Sequence, residues 1–218
     1  MTQTLETSVQ QLINAVNEAD SAVKLLQAVQ KLAAAQSPEA IPTLIQVLGF
    51  NNPGAAVAAT EGLINLGEIA IAPLMKNLDD YNYGARAWAL RVFAGIGDIR
   101  ALDLLISAAT TDFSLSVRRA ATKGLGNIQL SSLPPEDIAP TQEKIFRILC
   151  LTIQDGEWVV RYASIVALEN LTQSLKAFNN NYLIPQIVEQ LTLLSQKDDE
   201  IGVQTRAKLA LTKIKQEV

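Results

Sequence analysis

The sequence predicts an all-α fold: a right-handed α-solenoid of about six helical hairpins, running as one domain over residues 1–218. Three observations carry this. Hydrophobic residues make up 49% of the chain but aromatics only 5%, so the apolar content is mostly Ala, Leu, Ile and Val, a set that suits close helix-on-helix packing. An apolar stripe at i, i+3, i+4 and i+7, the mark of a helix with one buried face, recurs along the chain. An Asp followed six residues later by Arg returns at the same point of successive units.

Taken in order, the first helices of the units carry Val9-Leu12-Ile13-Val16, Ile41-Leu44-Ile45-Leu48, Ile71-Leu74-Met75-Leu78, Leu102-Leu105-Ile106-Ala109, Ile145-Ile148-Leu149-Thr152 and Ile184-Ile187-Val188-Leu191. Their starting positions step by 32, 30, 31, 43 and 39 residues. A second helix follows each one and ends on an apolar pair three apart: Leu63/Leu66, Phe93/Ile96, Leu125/Ile128, Leu168/Leu171 and Leu211/Ile214, with a weaker Leu32/Ala35 in the first unit. A lone hairpin cannot bury its stripe, so stacked neighbours must supply the core.

Small residues occupy the middle of the second helices: Ala58 and Ala59, Ala87 and Ala89, Ala120 and Ala121, Ala163 and Ala167, Ala207 and Ala210. They predict close approach of helix to helix. Gly67, Gly97 and Asn127 fall where helices end and predict left-handed caps. Pro42 and Pro185 stand near the starts of first helices, where a missing N–H costs little. The period lengthens at 130–137, a proline-containing insertion, and at 178–182, a second loop. No sustained alternation predicts a strand.

The turn inside each hairpin has its own signature. Asp80 precedes Arg86, Asp112 precedes Arg118 and Asp155 precedes Arg161, each by six residues; Asp198 precedes Gln204 by the same spacing. An Asp at the head of a helix predicts a cap on its first N–H groups. The Arg one turn in predicts a charge-assisted bond to an Asp of the adjacent hairpin, repeated as a ladder.

Composition removes several kinds of chemistry. The net charge is −4 and the sequence pI near 5.0, a poor match to nucleic acid. There is no histidine, which excludes His-based acid–base catalysis, His triads and His-ligated metals. Cys150 stands alone, so no internal disulfide and no cysteine zinc cluster form, and no metal site is expected. No apolar run approaches the roughly 18 residues of a membrane span, and the polar start Met1-Thr2-Gln3-Thr4 does not read as a signal peptide. The expectation is a soluble protein of a reducing compartment, the cytoplasm.

The blocks Asp112-x5-Arg118-Arg119-Ala120-Ala121 with Gly124-Leu125-Gly126-Asn127-Ile128, Gly84-Ala85-Arg86-Ala87-Trp88-Ala89-Leu90 with Ala94-Gly95-Ile96-Gly97-Asp98, and Val160-Arg161-Tyr162-Ala163 resemble HEAT-like repeats of the phycobilisome lyase kind. Length, acidic pI and six units are similar to the F-type (beta) subunits of heterodimeric phycocyanin α-subunit phycocyanobilin lyases. The resemblance covers nearly the whole chain. It implies attachment of phycocyanobilin, a substrate and not a permanently bound cofactor, through a thioether to a cysteine of the phycocyanin α-subunit. It implies an E-type partner chain, a cyanobacterial cytoplasm and a place near phycobilisomes at the thylakoid surface. A related pair also isomerises the bilin and uses a His–Cys pair to do so. This sequence has no His, so attachment without isomerisation is implied.

A bilin has two propionates, which Arg binds in forked geometry, and flat rings, which stack on aromatics. Candidate bilin contacts on the second helices are Tyr83, Trp88, Arg91, Arg119, Trp158 and Tyr162, with Tyr81 in a leading turn; Arg161 also lies there. Trp88 replaces the small residue that Ala120 and Ala163 supply elsewhere; it contacts a bilin, faces a partner chain or fills a gap between repeats. Arg86, Arg118 and Arg161, with Asp80, Asp112 and Asp155, read as the structural ladder. Cys150 reads as a packed small hydrophobe before it reads as a transient bilin acceptor. Asp79 or Asp112 can serve as counter-ion to a protonated pyrrole, or as a plain cap. The catalytic acid is unassigned, and no phosphate loop, nucleophile elbow or metal cluster is present. The alternative function is a non-enzymatic binding module or chaperone for phycobiliproteins; a HEAT scaffold unrelated to pigments is a third.

Overall fold

The structure is a computed structural model that describes residues 2–78 and 82–216, with side chains from Val9 onward. Its helices are α1 (Thr2–Asn17), α2 (Ala22–Ala34), α3 (Ile41–Val47), α4 (Pro53–Leu66), α5 (Ile71–Lys76), α6 (Tyr83–Ile96), α7 (Leu102–Thr111), α8 (Leu115–Leu125), α9 (Pro135–Thr152), α10 (Trp158–Ala177), α11 (Ile184–Lys197) and α12 (Ile201–Gln216). The chain divides into two compact units, Met1–Asp98 and Ile99–Val218. No strand occurs among the described residues.

In the first unit α1 packs on α2 and α3 on α4, and the second helices lie side by side, α2 on α4 on α6. Leu32, Leu44, Leu63, Ile71, Leu74, Leu90 and Phe93 are fully buried between them. Each such side chain contributes about 2 kcal/mol of transfer free energy. The second helices start on side-chain caps. Ser21 Oγ accepts from the Lys24 N–H, Asn52 Oδ1 from Ala55 and Asn82 Oδ1 from Ala85. Gly62 permits the α2–α4 contact, since a Cβ there would fall 2.7 Å from the Ala33 methyl. The stretch Pro53–Lys76 has the length and apolarity of a membrane-spanning segment. It is interrupted at Gly67 (φ 69°) by a 3-10 turn, Gly67–Ala70, and half of its most apolar window is buried.

In the second unit the hairpins are α7–α8, α9–α10 and α11–α12, and α10 lies between α8 and α12. Leu105, Leu125, Ile145, Leu149 and Ile165 form the inner core. The small residues named above are buried in both units, as their role in close packing requires. The insertion at 130–137 is only partly loop. α9 begins at Pro135, whose missing N–H is harmless at a first helical position, and continues for 18 residues. Gln142 is wholly buried on α9. Its Nε2 donates to Ser174 Oγ at 3.1 Å and its Oε1 accepts from Asn180 Nδ2 at 2.7 Å, so the lengthened helix holds the second loop.

Two local expectations are corrected. Gly97 is a left-handed cap (φ 71°, ψ 20°), but Asn127 is not, and Gly67 takes a different positive-φ conformation. α8 ends on Gly126 in helical conformation. What Gly126 supplies is space: a Cβ there would lie 2.5 Å from Ala167 Cα. The ladder aspartates also do not cap helices directly. Asp112, Asp155 and Asp198 each accept, through Oδ1, the N–H two residues on, from Ser114, Glu157 and Glu200 at 2.8, 2.8 and 2.9 Å. They close the turn that leads into the helix, an Asx-turn.

Candidate functional site

The ladder is present in the second unit. Arg118 Nε and Nη2 donate to Asp155 Oδ2 and Oδ1 at 2.7 and 3.0 Å, and its Nη1 donates to the carbonyls of Asp112 and Phe113. Arg161 repeats this with Asp198 at 2.8 and 2.9 Å and with the carbonyls of Asp155 and Gly156. Gln204 stands where the next Arg would be and keeps only the carbonyl bond, to Asp198 at 2.7 Å. The bond from Arg161 and the N–H of Glu200 hold the Asp198 carboxyl below its usual range against a smaller effect of burial. For Asp155 burial pushes upward, but the Arg118 guanidinium and the Glu157 N–H outweigh it. Asp80 lies outside the described residues, as do Asp79 and Tyr81. Arg86 lines a small gap with Ile45, Leu48, Ala85 and Ala89 in the first unit.

The ladder sets the spacing of what stands beside it. Three residues after each Asp the chain enters a second helix with an exposed apolar side chain: Leu115, Trp158 and Ile201. Seven residues after each Asp come Arg119, Tyr162 and Thr205. On α10 the four-residue separation puts Trp158 and Tyr162 on one face. Arg119 on α8, with Trp158, Val159 and Tyr162 on α10, lines an open cleft of about 260 Å³. Trp158 is 45% and Tyr162 37% exposed, so both present ring surface to that cleft. Three candidates taken separately from the sequence therefore meet in one place.

The other three lie in the first unit. Tyr83 opens α6 and is exposed; Trp88 and Arg91 are half-buried about one and two turns further on. Arg91 Cζ sits 3.9 Å from the centre of the Trp88 ring, a close cation–π stack. Cys150 is half-buried on α9, and burial pushes its thiol up, away from a reactive thiolate. Among the described residues no group of His, Cys, Asp or Glu is arranged to hold a metal ion.

Sequence reasoning missed one cluster. Glu169 on α10 is buried and accepts from Arg206 Nη1 and Lys213 Nζ, both on α12 and both at 2.8 Å. Burial pushes the Glu169 carboxyl up, but these two cations outweigh it and hold it below its usual range. The guanidinium of Arg206 stands 6.0 Å from the Tyr162 ring centre. The signal was available. Arg206 follows Asp198 by eight residues, the position that is Ala120 after Asp112 and Ala163 after Asp155. It is the same small-residue position at which Trp88 stands out.

Comparison with known proteins agrees with this architecture. Residues 71–140 match the family model of HEAT repeats. A phycobilisome maturation protein of Synechococcus elongatus is 52% identical over 201 residues, 92% of this chain and 95% of its own length. The phycocyanin alpha phycocyanobilin lyase CpcF of Synechocystis sp. is 55% identical over 170 residues, 78% of this chain and 79% of its own. Among solved structures, one chain of the complex of CpcE and CpcF of phycocyanin lyase from Nostoc sp. matches with a TM-score of 0.73 and 46% identity, over 80% of this chain and 99% of that one. With about half of all positions identical across most of both chains, and the same helical-repeat fold, this chain belongs to the CpcF family of phycocyanobilin lyases.

Proposed function

We propose that this chain is the beta subunit of a heterodimeric bilin lyase that attaches phycocyanobilin to a cysteine of the phycocyanin α-subunit, acting with an E-type partner chain. The observation that carries the reading is the cleft: an arginine, Arg119, faces two exposed rings, Trp158 and Tyr162, in a protein of this family. A flat, dianionic tetrapyrrole needs those two kinds of contact. The rings stack on the indole and phenol faces, and a propionate lies against the guanidinium. In the reaction the acceptor thiol adds across a carbon–carbon double bond of the bilin. Sulfur bonds to one carbon, the proton ends on the pigment, and no oxidant is needed. Holding the pigment extended and facing the thiol supplies much of the rate.

Tyr83, Trp88 and Arg91 are the proposed pigment contacts of the first unit, with the Trp88–Arg91 stack supporting them. The chain is read as a single HEAT-like repeat domain, residues 1–218, a reading supported by the repeat pattern of the sequence, which continues past residue 98. The pigment is substrate, with no cofactor held permanently. Attachment without isomerisation is supported by the family resemblance, in which isomerising relatives use a His–Cys pair that this chain, without histidine, does not have. The setting is the cyanobacterial cytoplasm, near phycobilisomes at the thylakoid surface.

A transfer assay tests this. The protein is mixed with phycocyanobilin and apo-phycocyanin α-subunit, with and without the E-type chain, and colour that survives denaturation is measured. Covalent colour with both chains, reduced at least about tenfold by Trp158→Ala or Arg119→Ala, is expected, the loss of one stacking or charged contact. Pigment-free acceptor bound without any covalent colour, beside an active control lyase, would establish the binding-module reading instead.

A further inference from the structure

The walls of the cleft do not stand alone. Trp158 and Tyr162 are four residues apart on α10; Gly202 and Arg206 are four apart on α12, which packs beside it. The two pairs face each other. A Cβ on Gly202 would touch Trp158 Cζ3 at 4.0 Å, and the Arg206 guanidinium lies 6.0 Å from the Tyr162 ring centre. Arg206 is only 8% exposed and does not line the cleft. It occupies a position where the two preceding hairpins carry Ala120 and Ala163. Its orientation is set by Glu169, which is bonded from the other side by Lys213.

We propose that Arg206, anchored by Glu169 and Lys213, is a positioning residue that holds the Tyr162 ring as a fixed wall of the pigment cleft. The inference rests on the cleft reading above. A tyrosine at a partly exposed helix surface otherwise samples several rotamers, and ligand binding would have to select one. A cation beside the ring favours the stacked rotamer. Because Arg206 is tied to a buried carboxylate, it does not leave with solvent fluctuations. Both cations bond the Glu169 carboxylate, and Arg206 is the one that also reaches the ring.

The test is a double-mutant cycle read by pigment binding. Phycocyanobilin is titrated against the heterodimer and followed by its absorbance, for the native pair, Arg206→Met, Tyr162→Ala and the double variant. Arg206→Met is expected to weaken pigment binding about fivefold, a cation–π contact of about 1 kcal/mol. In the Tyr162→Ala background it is expected to change nothing further, and Arg206→Lys should restore affinity to within about twofold. Lys213 still pairs with Glu169 in these variants, so the fold persists, and a melting curve on each confirms it. Equal loss from Arg206→Met in both backgrounds would mean a structural role only and overturn the proposal. Unchanged affinity in Arg206→Met, with a loss in Tyr162→Ala, would overturn it while leaving the cleft in place. Unchanged affinity in Tyr162→Ala would overturn this inference, while the cleft reading stands or falls separately with Trp158→Ala and Arg119→Ala.

Discussion

Arg161 and Asp198 meet through two parallel bonds, Nε to Oδ2 at 2.8 Å and Nη2 to Oδ1 at 2.9 Å, while the remaining Nη1 of the same guanidinium closes the turn that begins at Asp155. One side chain therefore shapes its own hairpin and locks the next one in register. Asp155 is held twice, through its carboxylate by Arg118 and through its backbone carbonyl by Arg161. Lys has a single nitrogen and cannot do this.

Arg161→Gln isolates the inter-hairpin half of the rung, since Gln204 shows that a glutamine at this position keeps the carbonyl bond. It leaves Asp198, whose side chain is 4% exposed, without its cation. The expected loss is about 2–3 kcal/mol of unfolding free energy, below the roughly 3–5 kcal/mol of a fully buried pair because the Arg161 side chain is 15% exposed. Denaturant titration measures it; a loss within about 0.5 kcal/mol would mean that the rung behaves like a surface ion pair.

The same rungs set the pH dependence. Asp155, Asp198 and Glu169 all have folded-state pKa values below their usual ones. Between the folded and unfolded values the unfolded chain binds more protons, so stability rises with pH through that window. The contribution is complete above about pH 5 and is lost as the pH falls through the carboxylate range. Urea midpoints between pH 3 and pH 7 should fall on acidification. Arg161→Gln should flatten the curve, because Asp198 loses its largest source of depression; an unchanged slope would contradict this.

Gly126→Ala forces a methyl to within 2.5 Å of the Ala167 Cα and 2.8 Å of its carbonyl oxygen. Backbone on the far side leaves no flexible group to yield, so α8 and α10 must separate. A loss of about 2–3 kcal/mol is expected, the scale of overpacking. A melting temperature equal to that of the native chain would show that the end of α8 shifts freely.

Thr122 offers the opposite sign. It is fully buried on α8, and its hydroxyl has no hydrogen-bond partner. Thr122→Val keeps the shape and removes the unsatisfied group, so a gain of about 1 kcal/mol is expected. A loss of stability in denaturant titration would mean that the hydroxyl is bonded in solution.

Much of this was legible because it repeats. The apolar stripes and the Asp–x5–Arg spacing recur, and recurrence averages away the ambiguity of any single segment. The stripes returned the hairpins, and the spacing returned the bonds of Arg118 and Arg161. What was hidden is what happens once. Glu169, Arg206 and Lys213 come together from two helices with no repeating signature, and only the departure of Arg206 from the Ala120 and Ala163 position marked it. Asn127 was misread because residue type alone suggests a left-handed cap. The requirement at that helix end is instead a missing methyl at Gly126, set by a residue 41 positions away, Ala167. The aspartates were placed at the right turns with the wrong acceptor geometry, because an N-cap and an Asx-turn differ by two residues and look alike in sequence.

The rungs have a further consequence for how such a chain can vary. Arg118 and Asp155 are 37 residues apart, and so are Arg161 and Asp198. Both lengthened connections lie between hairpins, at the other end of the helices from the Asp turns. Each rung thus works like the spine of a book: pages may be added at the open edge while the binding stays aligned. The connection at residues 131–134, which turns to solvent after the buried Leu130, should accept foreign segments, such as an epitope or a fluorescent-label site, with little loss of fold, whereas a single residue added between Asp155 and Arg161 would break the register of the hairpin beyond it.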